Sequence, residues 1–186
     1  MTLTLVTGGA RSGKSTFAER LAEAGPQPTL YVATARAEDD EMRRRVAEHQ
    51  SRRPAHWSTL EAPLSVGAAL AWAPGPIGTV LLEDLGLLVS NLLWDVTSGN
   101  EPGPEASDQL DAAIGDELDD LFEAWADGTW DLIVVTNEVG WGIVPTSPVA
   151  RLFRDALGKA NQYVAGRADS VYLVVAGHPL RVKPAH

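Results

Sequence analysis

The sequence has no cysteine. Disulfides, thiolate nucleophiles and Cys-ligated zinc are therefore excluded. It also lacks a basic excess: 25 acidic residues against 15 basic ones give a net charge of −10. A general nucleic-acid or anionic-membrane binder needs surplus Lys and Arg, so neither class fits. The charge does not exclude a small anion, because one helix N-terminus and a few cations suffice for that. Long apolar runs are missing too. No stretch approaches the roughly 18 apolar residues of a membrane-spanning helix, so no stable membrane insertion is expected. No basic segment followed by a long apolar run opens the chain, so no signal peptide is expected and a cytoplasmic setting fits.

What remains is ordinary for a globular protein. The chain has 186 residues, 45% of them hydrophobic and 22% charged. That length suggests one domain, residues 1–186, with no internal repeat. Leu3 to Thr7 reads as a strand, and Ser15 to Ala24 as a helix stopped by Gly25-Pro26. Thr29 to Thr34 reads as a second strand, and Glu38 to Arg53 as a charged helix ended by Pro54. A short strand is expected at residues 57–60, a helix from Pro63 to Trp72 and a buried strand from Thr79 to Glu83. Helices follow at Leu85–Val96 and Asp108–Asp127, separated by a polar, Gly- and Pro-containing loop read as mobile. Leu132–Thr136 is a further buried strand, Asn137–Pro148 a loop, Val149–Arg167 a long helix and Val171–Val175 the last core strand. Strands alternating with helices imply an α/β fold, and the Gly8–Ser15 turn between the first strand and helix makes it one of the P-loop NTPase type. Its sheet is mostly parallel with helices on both faces. Ligands then sit beyond the carboxyl ends of the strands.

The strongest local signal is Gly8-Gly9-Ala10-Arg11-Ser12-Gly13-Lys14-Ser15, a G-x-x-x-x-G-K-S pattern between a strand and a helix. Its backbone N–H groups would cradle phosphate, Lys14 would reach the β- and γ-phosphates, and the Ser15 hydroxyl would ligate Mg2+. A second metal contact ordinarily comes from an acid ending a buried strand, here Glu83 or Asp84. Asp84 can equally cap the next helix. Residues 48–57 gather His49, His56, Arg52 and Arg53 in an otherwise acidic protein. Arg52 and Arg53 suit phosphate. His49 suits either nucleophilic attack on phosphorus or a dipole contact at a helix end. His56 reads as packing beside Trp57, and His178 and His186 carry no supporting motif.

Five segments together resemble the bifunctional adenosylcobinamide kinase / adenosylcobinamide-phosphate guanylyltransferase family of cobalamin biosynthesis. They are TGGARSGKS (Thr7–Ser15), YVAT (Tyr31–Thr34), DDEMRRRVAEHQSRRPAHW (Asp39–Trp57), LLED…SNLL (Leu81–Leu93) and TNEVGWGIVP (Thr136–Pro145). The resemblance implies two activities. One phosphorylates the aminopropanol hydroxyl of adenosylcobinamide with ATP or GTP. The other joins GMP from GTP to adenosylcobinamide phosphate and releases pyrophosphate.

The resemblance also assigns residues. It makes His49 the catalytic residue that carries GMP. It maps nucleotide contacts onto Gly8 to Ser15, onto Ala33, Thr34 and Ala35, onto Gln50, Ser51, Arg52 and Arg53, and onto Glu61 and Glu83. Glu61 or Glu83 would read guanine, which for Glu83 competes with the metal role. Glu48 stands where relatives can carry a second histidine, and Asp84-Leu85-Gly86 departs from the pattern after the strand. The loop from Asn137 to Pro145 would flank the site, and its residues read in two ways: Glu138 as a base for the acceptor hydroxyl, or the loop as structure alone, a turn shaped by Gly140, Gly142 and Pro145 and capped by Asn137. A homotrimer is implied by the same resemblance. The rival readings are a P-loop small-molecule kinase without guanylyl transfer, and a nucleotide-switched binding protein.

Overall fold

The computed structural model describes residues 1–36 and 54–183. The expected helix at Glu38–Arg53 lies outside the described residues. In chain order, β1 (Leu3–Gly8) leads through the glycine-rich turn into α1 (Lys14–Ala24), and β2 (Thr29–Ala33) follows. Then come β3 (Ser58–Glu61), α2 (Val66–Ala71), β4 (Thr79–Glu83) and α3 (Leu85–Thr97). The chain continues through α4 (Ala106–Asp127), β5 (Asp131–Val135), α5 (Pro148–Arg167), β6 (Ser170–Val175) and β7 (His178–Lys183).

The strands form one seven-stranded sheet in the order β3-β2-β4-β5-β1-β6-β7. All neighbouring pairs are parallel except β6 with β7. Alternate side chains of the central strands serve two different cores, as the period of two demands. Leu5, Val32, Leu82 and Val134 face a large cluster shared with helices α2 to α5. Val6, Tyr31, Leu81 and Val135 face a smaller cluster with Ala18 and Ala22 of α1 and with Trp57. Both faces are therefore covered, which is why β4 reads as a continuous apolar run rather than an alternating one.

Two elements differ from the sequence reading. The helix expected from Pro63 is confined to Val66–Ala71. Ser65 has φ of 52°, and the Glu117 carboxylate of α4 accepts from the N–H groups of Ser65 and Val66 at 2.9 and 2.7 Å. A distant side chain thus supplies the helix start, and no local capping pattern could announce it. The second difference is β7, which the sequence reading omitted. Ala176 and Gly177 have φ of 49° and 83° and turn the chain back antiparallel onto β6. Two central turn residues with positive φ match the twist of a two-residue hairpin.

Candidate active site

The phosphate loop is built by its neighbours as much as by its own residues. Gly13 has φ of 92°, and a Cβ there would stand 3.0 Å from Gly177 Cα. Only glycine fits both the left-handed backbone and that approach. The Gly177 N–H donates to the Ser12 carbonyl at 2.7 Å, so the β6–β7 turn braces the loop from behind. Lys14 is buried at the first position of α1, and its Nζ donates to the Gly9 carbonyl at 3.4 Å. The N–H groups of the loop lie at the N-terminus of α1, where the helix dipole favours an anion.

Across from the loop stands the end of β4. Ser15 Oγ donates to Glu83 Oε1 in a short hydrogen bond. Burial raises the Glu83 carboxyl from its ordinary 4.5 to about 7; the Ser15 hydroxyl and the Lys14 ammonium oppose that rise, and Asp84 and Glu19 add to it. Among the described residues, Thr7 Oγ1, Ser12 Oγ and Glu83 Oε2 are buried without a hydrogen-bond partner. Buried polar atoms are nearly always paired, so Ser12 Oγ within the loop and Glu83 Oε2 beside it mark a place built for a ligand, while Thr7 lies on the other face of the sheet with Leu3 and Leu5.

The Ser15 hydroxyl and the free Glu83 oxygen suit a hard cation that takes its remaining ligands from phosphate and water. Among the described residues, no cluster of three or more His, Asp or Glu is arranged to hold a metal by itself.

Asp84, the other acid after β4, is committed to structure. Its Oδ1 accepts from the Leu87 N–H at 2.7 Å and caps α3. Its Oδ2 accepts from Asn137 Nδ2 at 3.1 Å. Burial, first of all, raises the Asp84 carboxyl above its ordinary value. The Glu83–Asp84 peptide bond is cis.

Several further candidates sit on the same edge of the sheet. Ala33 is in register with Glu83 on one side and with Glu61 on the other. Thr34 is buried, its N–H donates to the Glu83 carbonyl at 3.2 Å, and its hydroxyl bonds the backbone of Asp84 on both sides. Ala35 follows directly, and Glu61 is exposed at the end of β3. Glu61, Ala33, Glu83 and Ser15 thus form one chain of neighbours across the carboxyl ends. His49, Gln50, Ser51, Arg52 and Arg53 lie outside the described residues. The described chain resumes at Pro54, and Trp57 packs on the α1 side of the sheet and donates from Nε1 to Glu23 of α1 at 3.0 Å. His56 is exposed beside the same Glu23, with Nε2 3.5 Å from its carboxylate.

The loop after β5 closes the remaining side. The Glu138 N–H donates to the Gly8 carbonyl at 3.1 Å, which ties this loop to the phosphate loop. Asn137 does not cap its own turn, as the sequence suggested; its side chain crosses to Asp84 instead. Beyond it, Trp141, Ile143 and Val144 are exposed. Two contributors were missed from sequence, Gly177 and Asn161. Gly177 was findable from its place in a two-residue turn. Asn161 lies mid-helix in α5 and is discussed below.

A family model described as cobinamide kinase / cobinamide phosphate guanyltransferase matches residues 4–182. The bifunctional adenosylcobalamin biosynthesis protein CobU of Salmonella typhimurium is 42% identical, covering 96% of this chain and 98% of its own. CobU of Escherichia coli is 41% identical with the same coverage, and CobP of Pseudomonas aeruginosa is 42% identical over 96% of each chain. Among solved structures, an ATPase of a bacterial type III secretion system matches with a TM-score of 0.56 at 12% identity. That match covers 92% of this chain and 50% of the ATPase, and it speaks to the P-loop fold alone. This chain belongs to the cobinamide kinase / cobinamide phosphate guanyltransferase family.

Proposed function

We propose that this chain performs both reactions named for its family, first phosphorylating adenosylcobinamide and then joining GMP to the phosphate. The observation that carries the reading is the Ser15–Glu83 pair at the phosphate loop, with the second Glu83 oxygen and the Ser12 hydroxyl of the loop buried and unpaired. That arrangement grips a triphosphate; the family resemblance names the acceptor.

In the first step the aminopropanol hydroxyl attacks the γ-phosphorus of ATP or GTP. The new O–P bond forms as the bond to the β-phosphate oxygen breaks, and the hydroxyl proton passes to Glu138. The Glu138 backbone bond to Gly8 supports that role, because it keeps the residue beside the phosphate loop. In the second step a nitrogen of neutral His49 attacks the α-phosphorus of GTP and displaces pyrophosphate. The phosphate of adenosylcobinamide phosphate then attacks the same phosphorus, breaks the N–P bond and leaves as adenosylcobinamide-GDP. Lys14 and the loop N–H groups hold the departing pyrophosphate. Arg52 and Arg53 pair with nucleotide phosphate, and Gln50 and Ser51 line the same segment.

Ser15 and Glu83 are the residues that would hold Mg2+, and the unpaired Glu83 oxygen fits that use better than a guanine contact. When bound, Mg2+ neutralises charge on the phosphate oxygens. Glu61, exposed at the edge, is then the acid that accepts from guanine. The cysteine-free sequence fits a cytoplasmic setting; by the same resemblance the enzyme works as a homotrimer of single-domain chains, and light scattering should return three times the chain mass.

The purified protein, given adenosylcobinamide, GTP and Mg2+, should yield the phosphate and then the GDP derivative by mass spectrometry. Accumulation of the phosphate with no GDP derivative would reduce the protein to a kinase and defeat the second half of the proposal.

A further inference from the structure

Asn161 is a polar residue that the mechanism above leaves unused. Asparagine is a poor helix former, yet Asn161 sits in the interior of α5. Both ends of its amide are engaged. Nδ2 donates to the Asn137 carbonyl at 3.1 Å, and Oδ1 accepts from the Thr136 hydroxyl at 2.6 Å. A carbonyl can only accept, so the Asn137 contact fixes which way the amide points. Thr136 is fully buried and its N–H donates to Val6 of β1 at 2.9 Å. The Asn137 side chain then reaches Asp84, and the next N–H, that of Glu138, donates to Gly8. Gly86 leaves room for this crossing: a Cβ there would stand 3.1 Å from Asn137 Nδ2 and 3.2 Å from Asp84 Oδ1. The departure at Asp84-Leu85-Gly86 noted in the sequence thus has a structural use. Three consecutive residues, Thr136 to Glu138, are pinned from α5, α3 and the phosphate loop at once.

We propose that Asn161 is a positioning residue for the phosphorylation step, holding Thr136–Glu138 so that the Glu138 carboxylate meets the acceptor hydroxyl at the phosphate loop. The inference rests on the reading of Glu138 as the base. It distinguishes the two steps chemically. A hydroxyl must lose a proton as it attacks, so phosphorylation depends on where the base stands. A phosphate monoester is already anionic at neutral pH, so GMP transfer needs no such base.

The test uses the full chain and the variants Asn161→Ala, Thr136→Val, Thr136→Ser and Glu138→Gln. For each, kcat and KM are measured separately for phosphorylation of adenosylcobinamide and for GMP transfer to adenosylcobinamide phosphate, alongside the melting temperature. Asn161→Ala and Thr136→Val should lower the phosphorylation kcat about tenfold or more, with the nucleotide KM unchanged. Thr136→Ser, which restores the hydroxyl, should recover wild-type phosphorylation, and GMP transfer should be unaffected throughout. If Asn161→Ala does not fold, the Thr136 pair decides, because it leaves Asn161 in place. Loss of phosphorylation in Glu138→Gln with none in Asn161→Ala or Thr136→Val overturns the role of Asn161 alone. Retention of phosphorylation in Glu138→Gln overturns the base and the proposal with it. Equal losses in both steps overturn it as well, since they mark a structural effect.

Discussion

The two loops that flank the central strands are built on opposite terms. The phosphate loop after β1 is braced: Gly177 holds it from behind, Lys14 is buried where it enters α1, and Ser15 is bonded to a carboxylate of raised pKa. The loop after β5 is pinned at its two ends, by Asn161, Asp84 and Gly8 at the root and by Arg151, which donates to the Pro145 and Thr146 carbonyls, and between them it exposes Trp141, Ile143 and Val144. One region is prearranged for a ligand of fixed shape, a triphosphate. The other exposes apolar side chains between its two pinned ends. A preorganised site loses little freedom when it binds, so its contacts act fully on the reacting groups.

The comparison breaks most readily at Lys14. Lys14→Ala should lower both reactions by about 10²- to 10³-fold, read from initial rates with saturating acceptor. A variant that keeps either reaction would show that the loop does not serve both steps.

Glu83→Gln tests the cost of prearrangement. The folded-state pKa of about 7 lies above the ordinary 4.5. Stability lent by the protonated form is therefore full below 4.5 and is lost as pH rises through about 7. The glutamine cannot ionise. In nucleotide-free thermal unfolding, its melting temperature relative to wild type should rise between pH 5 and pH 8, by the equivalent of a few kcal/mol. Saturating Mg2+ and GTP should narrow the gap by stabilising wild type.

Asp84→Ala removes the cap of α3 and should cost about 1 kcal/mol in denaturant unfolding; Asp84→Asn, which keeps an accepting oxygen, should recover most of it. The smallest effect belongs to the open loop. Trp141 is 76% exposed, and Trp141→Ala should leave stability within about 0.5 kcal/mol. A larger loss would show that this loop, too, is part of the packed fold.

These contrasts also explain what could be read from sequence. Glycine spacing, Lys14 and Ser15 are consecutive, so the phosphate loop is legible as a string. The buried strands β4 and β5 are legible as apolar runs. Asp84 could not be assigned, because a cap and a metal contact use the same residue type, and only its bonds to Leu87 and Asn137 separate them. The start of α2 was misplaced because its cap comes from Glu117, far along the chain. Strand β7 was missed because its exposed residues make no core pattern, although Ala176-Gly177 marked the turn. Asn161 was invisible because its partners, Thr136 and Asn137, lie far back along the chain in the loop after β5. Local chemistry is written locally, while the supports that aim it come from elsewhere in the fold.

The central claim is that the phosphate loop grips a leaving pyrophosphate while GMP passes through His49. Its most direct measurement is incubation with GTP labelled at the α-phosphate, followed by denaturation and acid or base treatment. The expected result is label on the protein that survives base and is released by acid, and that His49→Ala lacks while still binding nucleotide. Undiminished label on His49→Ala, or GMP transfer to the acceptor with no labelled protein under single-turnover conditions, would contradict the claim.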